Sequence, residues 1–216
     1  MNRKIVFFSV AGVLLLVFAV AAVLYKNHKV GEQTVAVSGN QKALLRAGAP
    51  VKGNKDAKVT IVEFFDPACE TCRDFYPLMA QLLEQFPGKV KVIMRYAPLH
   101  PGSDQVVKML EAAQYQDKFW QALELLFADQ PRWVINHVSQ PMRAQVILDP
   151  LNLNRDQFFA DMNRPEVAQV IQQDIKDGQI LGVRATPEFF VNGRPLPSFG
   201  FDQLRSMVEA AVADAY

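Results

Sequence analysis

The two cysteines of this chain, Cys69 and Cys72, stand three residues apart, just after the run Val59-Thr60-Ile61-Val62-Glu63-Phe64-Phe65. That run is rich in β-branched and aromatic residues and almost continuously apolar, which suits a strand buried on both faces of a sheet. Asp66-Pro67 ends it. Cys69, Cys72, Tyr76, Met79, Leu82, Leu83 and Phe86 then follow at three- and four-residue steps, the period of a helix that Pro77 should kink and Pro87-Gly88 should close. Lys89–Tyr96 reads as a second buried strand, so the segment is a βαβ unit with its cysteine pair at the strand-to-helix junction.

The flanks extend this pattern. Before the first strand, Gln41–Ala47 suggests a short helical turn, and Ala49-Pro50 and Gly53-Asn54 mark turns. After the second, residues of helical character run to Ile180. Ser103 and Asp117 are expected to cap two helices, shorter ones follow Gln140 and Asn154, and a longer one spans about Arg164 to Ile180. Glu188–Val191 and Arg194–Leu196 around Asn192-Gly193 predict a hairpin with a type I′ turn. Phe201–Ala215 predicts a last amphipathic helix, with Leu204, Val208, Ala211 and Val212 inward. Strand–helix–strand, helical insertion, then strand–strand–helix defines an α/β architecture.

At the N-terminus an apolar or small-residue run extends from Ile5 to Tyr25. A helix of that length spans about 31 Å, enough for a bilayer core. A cleaved signal peptide is the competing reading, with Ala19-Val20-Ala21 as a small-x-small site. The run continues past it through Ala22-Val23-Leu24-Tyr25, which favours a retained anchor. Arg3 and Lys4 on one side and Lys26 and Lys29 on the other balance, so charge alone does not orient the span. The expected layout is a cytoplasmic tip at 1–4, a transmembrane signal anchor at 5–25, a polar linker at 26–44 and a folded domain at 45–216, with its insertion at about 101–181. The whole chain carries one net positive charge and is 50% hydrophobic, which excludes a disordered chain and gives no footprint for nucleic acid.

At a helix start the first sulfur of a C-x-x-C sits at the N-terminus and the second one turn in. Free backbone N–H groups and the positive end of the helix dipole would favour a thiolate at Cys69, making it nucleophile and leaving group, with Cys72 as the deeper, resolving thiol. Stray core cysteines fit neither the spacing nor the junction. A structural zinc site needs four ligands, whereas His28, His100 and His137 are scattered along the chain, so no metal ligand is assigned. A static disulfide closing so short a loop constrains the unfolded chain very little. Redox chemistry is the reading that remains.

Val62-Glu63-Phe64-Phe65-Asp66-Pro67-Ala68-Cys69-Glu70-Thr71-Cys72 resembles the active-site strand and helix of DsbA-like thiol–disulfide oxidoreductases of the thioredoxin superfamily. Ala185-Thr186-Pro187-Glu188-Phe189-Phe190-Val191-Asn192-Gly193 resembles their cis-proline loop and hairpin, and the resemblance covers about residues 45–216. It implies a thioredoxin-like fold with a helical insertion, preceded here by one transmembrane helix, and protein thiol–disulfide exchange as the activity. It further implies Cys69 and Cys72 as the catalytic pair, Glu63 as a base for Cys72 with its pKa raised by burial, and Thr186 and Pro187 as the loop that pairs with an extended client segment. Pro77 matches the family's helix kink.

Glu70 and Thr71 depart from the strongest oxidants, which carry histidine before the second cysteine. Glu70 should oppose thiolate formation, predicting a couple less oxidising than the about −120 mV of those oxidants. Thr186 is similar to isomerase- and reductase-like members. His100 is expected to be a loop histidine, Trp120 and Trp133 helical-domain packing, and Phe64, Phe65, Phe189 and Phe190 sheet core. No cofactor is called for. The expected partners are reduced or misoxidised extracytoplasmic (periplasmic) client proteins and a membrane redox protein, the chain acting as a monomer. The alternatives are a reductase or isomerase of the same fold, or a Cu(I)-handling thiol protein.

Overall fold

The computed structural model describes residues 3–216; Met1 and Asn2 of the expected tip lie outside the described residues. Helix α1 (Arg3–Gly39) runs unbroken through the apolar segment and on through the stretch expected to be a polar linker. That expectation is corrected for a physical reason. Nothing between Lys26 and Ser38 breaks a helix except Gly31, and the last turns find a partner: Val37 is buried, and Gln33 Nε2 donates to Glu188 Oε1 at 3.2 Å. The apolar stretch is long enough to cross a membrane. A short α2 (Gln41–Leu44) follows and buries Ala43 and Leu44.

The domain opens with β1 (Val51–Gly53), a strand concealed in sequence between the two turn signals. Then come β2 (Val59–Phe65), α3 (Glu70–Gln85, with Pro77 inside) and β3 (Val90–Tyr96). The insertion holds α4 (Ser103–Gln114), α5 (Phe119–Ala128), α6 (Gln130–Trp133), a small hairpin of β4 (Val134–Ile135) and β5 (Val138–Ser139), then α7 (Pro141–Ile147), α8 (Arg155–Met162) and α9 (Pro165–Ile180). The chain finishes with β6 (Glu188–Val191), β7 (Arg194–Pro195) and α10 (Phe201–Ala215).

The five-stranded sheet has the order β1-β3-β2-β6-β7, with β2 and β3 parallel and every other pairing antiparallel. Successive residues of a strand face opposite sides. Ile61 and Phe65 therefore face the core shared with α3 and α10, whereas Val62 and Phe64 face a second core with Val37, Leu44 and Leu181. Glu63 falls on the α3 side. Asn192 and Gly193 both have positive φ, as the type I′ turn requires.

Two expected caps are corrected. Gly102, in the left-handed region, precedes α4, while Ser103 turns inward and donates to Asp66 Oδ2 at 3.1 Å. Asp117 is itself left-handed, and Lys118 occupies the cap of α5. Asn154 does cap α8, accepting from the Gln157 backbone N–H at 3.0 Å.

A buried ion cluster joins three segments beneath the sheet. The fully buried Arg95 of β3 pairs with Asp174 (2.8 Å) and Asp177 (2.6 Å) of α9 and donates to the Ala43 and Leu44 carbonyls of α2. Asp174 also accepts from Arg46 at 2.6 Å and from the Tyr96 backbone N–H at 2.9 Å.

Candidate active site

Asp66 builds the turn that carries the cysteines. Its side chain is fully buried and accepts the Ala68 N–H at Oδ1 (2.8 Å), while its carbonyl accepts the Cys69 N–H at 3.0 Å. Cys69 becomes the extended N-cap residue of α3, with φ −77° and ψ 120°. Its sulfur therefore meets the N–H groups of the first helical turn, which have no partner within the helix. Cys72, one turn in, retains 1% of its surface against 5% for Cys69, so Cys69 is the more accessible of the two sulfurs. From the insertion, the buried Gln130 clamps this turn, its Nε2 donating to the Pro67 and Cys69 carbonyls at 2.9 and 3.0 Å.

The 185–187 loop arrives opposite this turn because β6 pairs with β2, Phe189 lying against Glu63. The Thr186–Pro187 bond is cis, and the Thr186 carbonyl oxygen lies 3.2 Å from Cys69 Sγ. That carbonyl favours the thiol, but the donors outweigh it. The Cys72 thiol, followed by the Thr186 side chain and the backbone N–H groups of Cys72 and Thr71, brings the Cys69 pKa down to about 6. Burial drives Cys72 the other way, well above the ordinary thiol range, and its hydrogen bond to Cys69 adds to the rise. The proton the two sulfurs share thus belongs to Cys72. Cys69 should accordingly react with iodoacetamide along a pH curve with a midpoint of about 6, nearly complete in thiolate by pH 7. A curve centred near 8.5, the ordinary cysteine value, would contradict this geometry.

Glu63 is 1% exposed, and its Oε1 finds no hydrogen-bond partner. Burial raises its pKa to about 8, with the nearby Cys69 charge as a second cause. It therefore does not reach solvent from a strand end. On the sheet face beneath α3 it lies close enough to Cys72 for its charge to raise that thiol.

The two residues between the cysteines make different contacts. The Glu70 carboxylate lies 3.3 Å from His137 Nδ1. Thr71 acts through its backbone N–H. His100 and His137, far apart in sequence, have stacked rings with centroids 6.3 Å apart beside Glu70. Neither this pairing nor Gln130 was visible in the sequence, because α6 and the β4–β5 hairpin that carry Gln130 and His137 are too short to leave a periodic signal. Trp133 is packing, as expected, fully buried with its Nε1 donating to the Leu126 carbonyl at 2.8 Å.

The chain is similar to several known proteins. The family model described as Thioredoxin matches residues 46–210. A thioredoxin-like oxidoreductase from Silicibacter pomeroyi DSS-3 is 30% identical and superposes with a TM-score of 0.70, over 82% of this chain and 99% of that one. Disulfide bond formation protein D of Bacillus subtilis is 24% identical over 85% of this chain and 84% of its own length. The Na(+)/H(+) antiporter NhaA of Herminiimonas arsenicoxydans is 30% identical over 68% of this chain, which spans only 22% of that antiporter. The chain belongs to the thioredoxin family, among its DsbA-like thiol–disulfide oxidoreductases.

Proposed function

We propose that the chain, anchored by α1, exchanges disulfides with extracytoplasmic client proteins through a mixed disulfide at Cys69. The observation that carries this reading is the meeting of the more accessible, N-capping sulfur with the Thr186 carbonyl at 3.2 Å. A client strand pairing with the 185–187 backbone would bring its own sulfur to Cys69. In the oxidising direction a client thiolate attacks Cys69 Sγ and expels Cys72 as the leaving thiolate, which takes the Glu63 proton. The second client thiolate then attacks the client sulfur of the mixed disulfide and releases Cys69. Two electrons pass from the client dithiol to the Cys69–Cys72 pair. A membrane redox partner removes them. Run backwards, the same steps reduce a client disulfide, with Glu63 taking the proton from Cys72 as it attacks; release of Cys69 by a different client thiolate instead isomerises the client with no net transfer of electrons.

A Cys69 pKa of about 6 lies between the about 3.5 of DsbA and the about 7 of thioredoxin, which supports a couple less oxidising than the strongest oxidants. Replacing Cys72 by alanine removes the resolving thiol, so covalent client complexes should accumulate on Cys69 and vanish on reduction. A Cys72→Ala variant that traps nothing, and that loses a Cu(I) ion its parent binds, would support the metal-carrier alternative. The resting state decides direction. Alkylation-shift assays in cells should show mostly disulfide for an oxidase and mostly dithiol for a reductase or isomerase.

A further inference from the structure

We infer that Glu70, His100 and His137 form a binding site for a divalent cation of the zinc class at the rim of the cysteine pair, independent of the thiols. One potential ligand atom from each residue lies within 4.8 Å of the other two, and Glu70 Oε1 to His137 Nδ1 is already 3.3 Å. Bonds of about 2.0–2.1 Å to a tetrahedral zinc place neighbouring ligand atoms about 3.4 Å apart, so one edge of the site has its final length.

His100 is prepared for this role. Asp66 Oδ2 accepts from the Leu99 and His100 backbone N–H groups (2.7 Å each) and from Ser103 Oγ (3.1 Å). That oxygen is an acceptor, so the His100 Nδ1 at 2.8 Å must carry the hydrogen and donate it. The lone pair of the ring is then on Nε2, on the opposite edge. A buried carboxylate that fixes the tautomer and orientation of a histidine is the usual support behind a metal-binding imidazole. Ser103, lost as a helix cap, belongs to this support.

His137 is the movable ligand. It sits at the tip of the β4–β5 hairpin, its side chain 75% exposed, and so has the freedom to close the remaining distance. Asn136 and His137 both have positive φ, the second at 61°, where type I′ turns ordinarily place glycine. A bulky histidine held there puts an imidazole opposite Glu70 at a conformational cost glycine would not carry. Two imidazoles and one carboxylate select zinc and its transition-metal neighbours over calcium or magnesium, which prefer all-oxygen sites. Three protein ligands leave a fourth position open. The histidines only looked scattered in sequence.

The test uses the full-length C69S/C72S variant, purified in detergent without a polyhistidine tag and titrated calorimetrically with zinc chloride at pH 7.5. One equivalent should bind, with magnesium and calcium giving no heat. On that background H100A, H137A and E70Q should each weaken zinc binding about tenfold or more, while H28A, the third histidine of the chain, changes nothing. Because His137 is exposed at a hairpin tip, H137A reports on the site without endangering the fold. The inference is overturned if the cysteine-free chain binds no zinc, if H137A binds zinc as tightly as its parent, or if magnesium binds equally well.

Discussion

Alanine in place of Asp174 should lower the stability of the domain by about 3–5 kcal/mol, the range for breaking a buried ion pair from one side. Asp174 is fully buried and holds the equally buried Arg95 guanidinium, Arg46 and the Tyr96 backbone N–H at once. Removing it leaves Arg95 with Asp177 and two carbonyls, and leaves the Tyr96 N–H without its acceptor. For a domain of this size the loss corresponds to a fall in Tm of roughly 6–20 °C. Thermal unfolding of the full chain in detergent measures it, with Asp74→Ala as the control. The Arg73–Asp74 pair is solvent-exposed at Asp74, so its loss should cost less than about 1 kcal/mol. Equal effects from the two variants would mean that the cluster does not tie α2, β3 and α9 together.

The second large effect belongs to Glu63. Glutamine there should slow deprotonation of Cys72, and with it resolution of the mixed disulfide, by about 10²–10⁴-fold, the usual span for a lost general base. Stability should move in the opposite sense. An ordinary glutamate ionises near 4.5, whereas the folded Glu63 holds its proton to about 8. Between those values the folded state binds more protons than the unfolded one, so stability falls as pH rises; below 4.5 the loss is absent and above 8 it is complete. The full difference amounts to about 5 kcal/mol at about 1.36 kcal/mol per pKa unit. Cys69 contributes with the reverse sign. Its folded pKa of about 6 lies below the ordinary cysteine value of about 8.5, so it adds stability as pH rises between them. The decisive quantity is therefore the difference between parent and Glu63→Gln unfolding free energies. It should widen in favour of the variant from pH 4.5 to 8. A flat difference would show that Glu63 is not held protonated, and an unchanged resolution rate would remove it from the proton path.

Long, strongly patterned elements were legible before the structure. β2 and α10 have the ends their residues predict, because one is an almost continuously apolar run after a charged loop and the other a clean amphipathic period. The cysteine pair and the 185–187 loop were legible as motifs. What stayed hidden depends on contacts remote in sequence. The helicity of the linker expected at 26–44 stayed hidden because its last turns are secured by Val37 and Gln33 meeting the far end of the chain. β1 escaped because a three-residue strand carries no period of its own and exists only against β3. His100 looked like an ordinary loop residue because Asp66, which orients it, comes from a different element. Glu63 is the instructive exception: a carboxylate inside an apolar strand contradicts its surroundings, and such local contradictions are where function concentrates.

The docked helix has a mechanical consequence. A flexible tether would let a catalytic domain sweep a hemisphere above the membrane and meet clients from any side. α1 instead extends for 37 residues, about 55 Å at 1.5 Å per residue, of which about 30 Å suffices for a bilayer core. Its far end is clamped onto the β6–β7 hairpin through Val37 and Gln33. With α1 retained as the anchor proposed above, the domain would stand on a stiff post rather than a leash, and the height and facing of Cys69 above the lipid surface would be fixed quantities. Chains emerging within that narrow band, or a membrane protein whose own sulfurs lie at the same level, would then be in register with it.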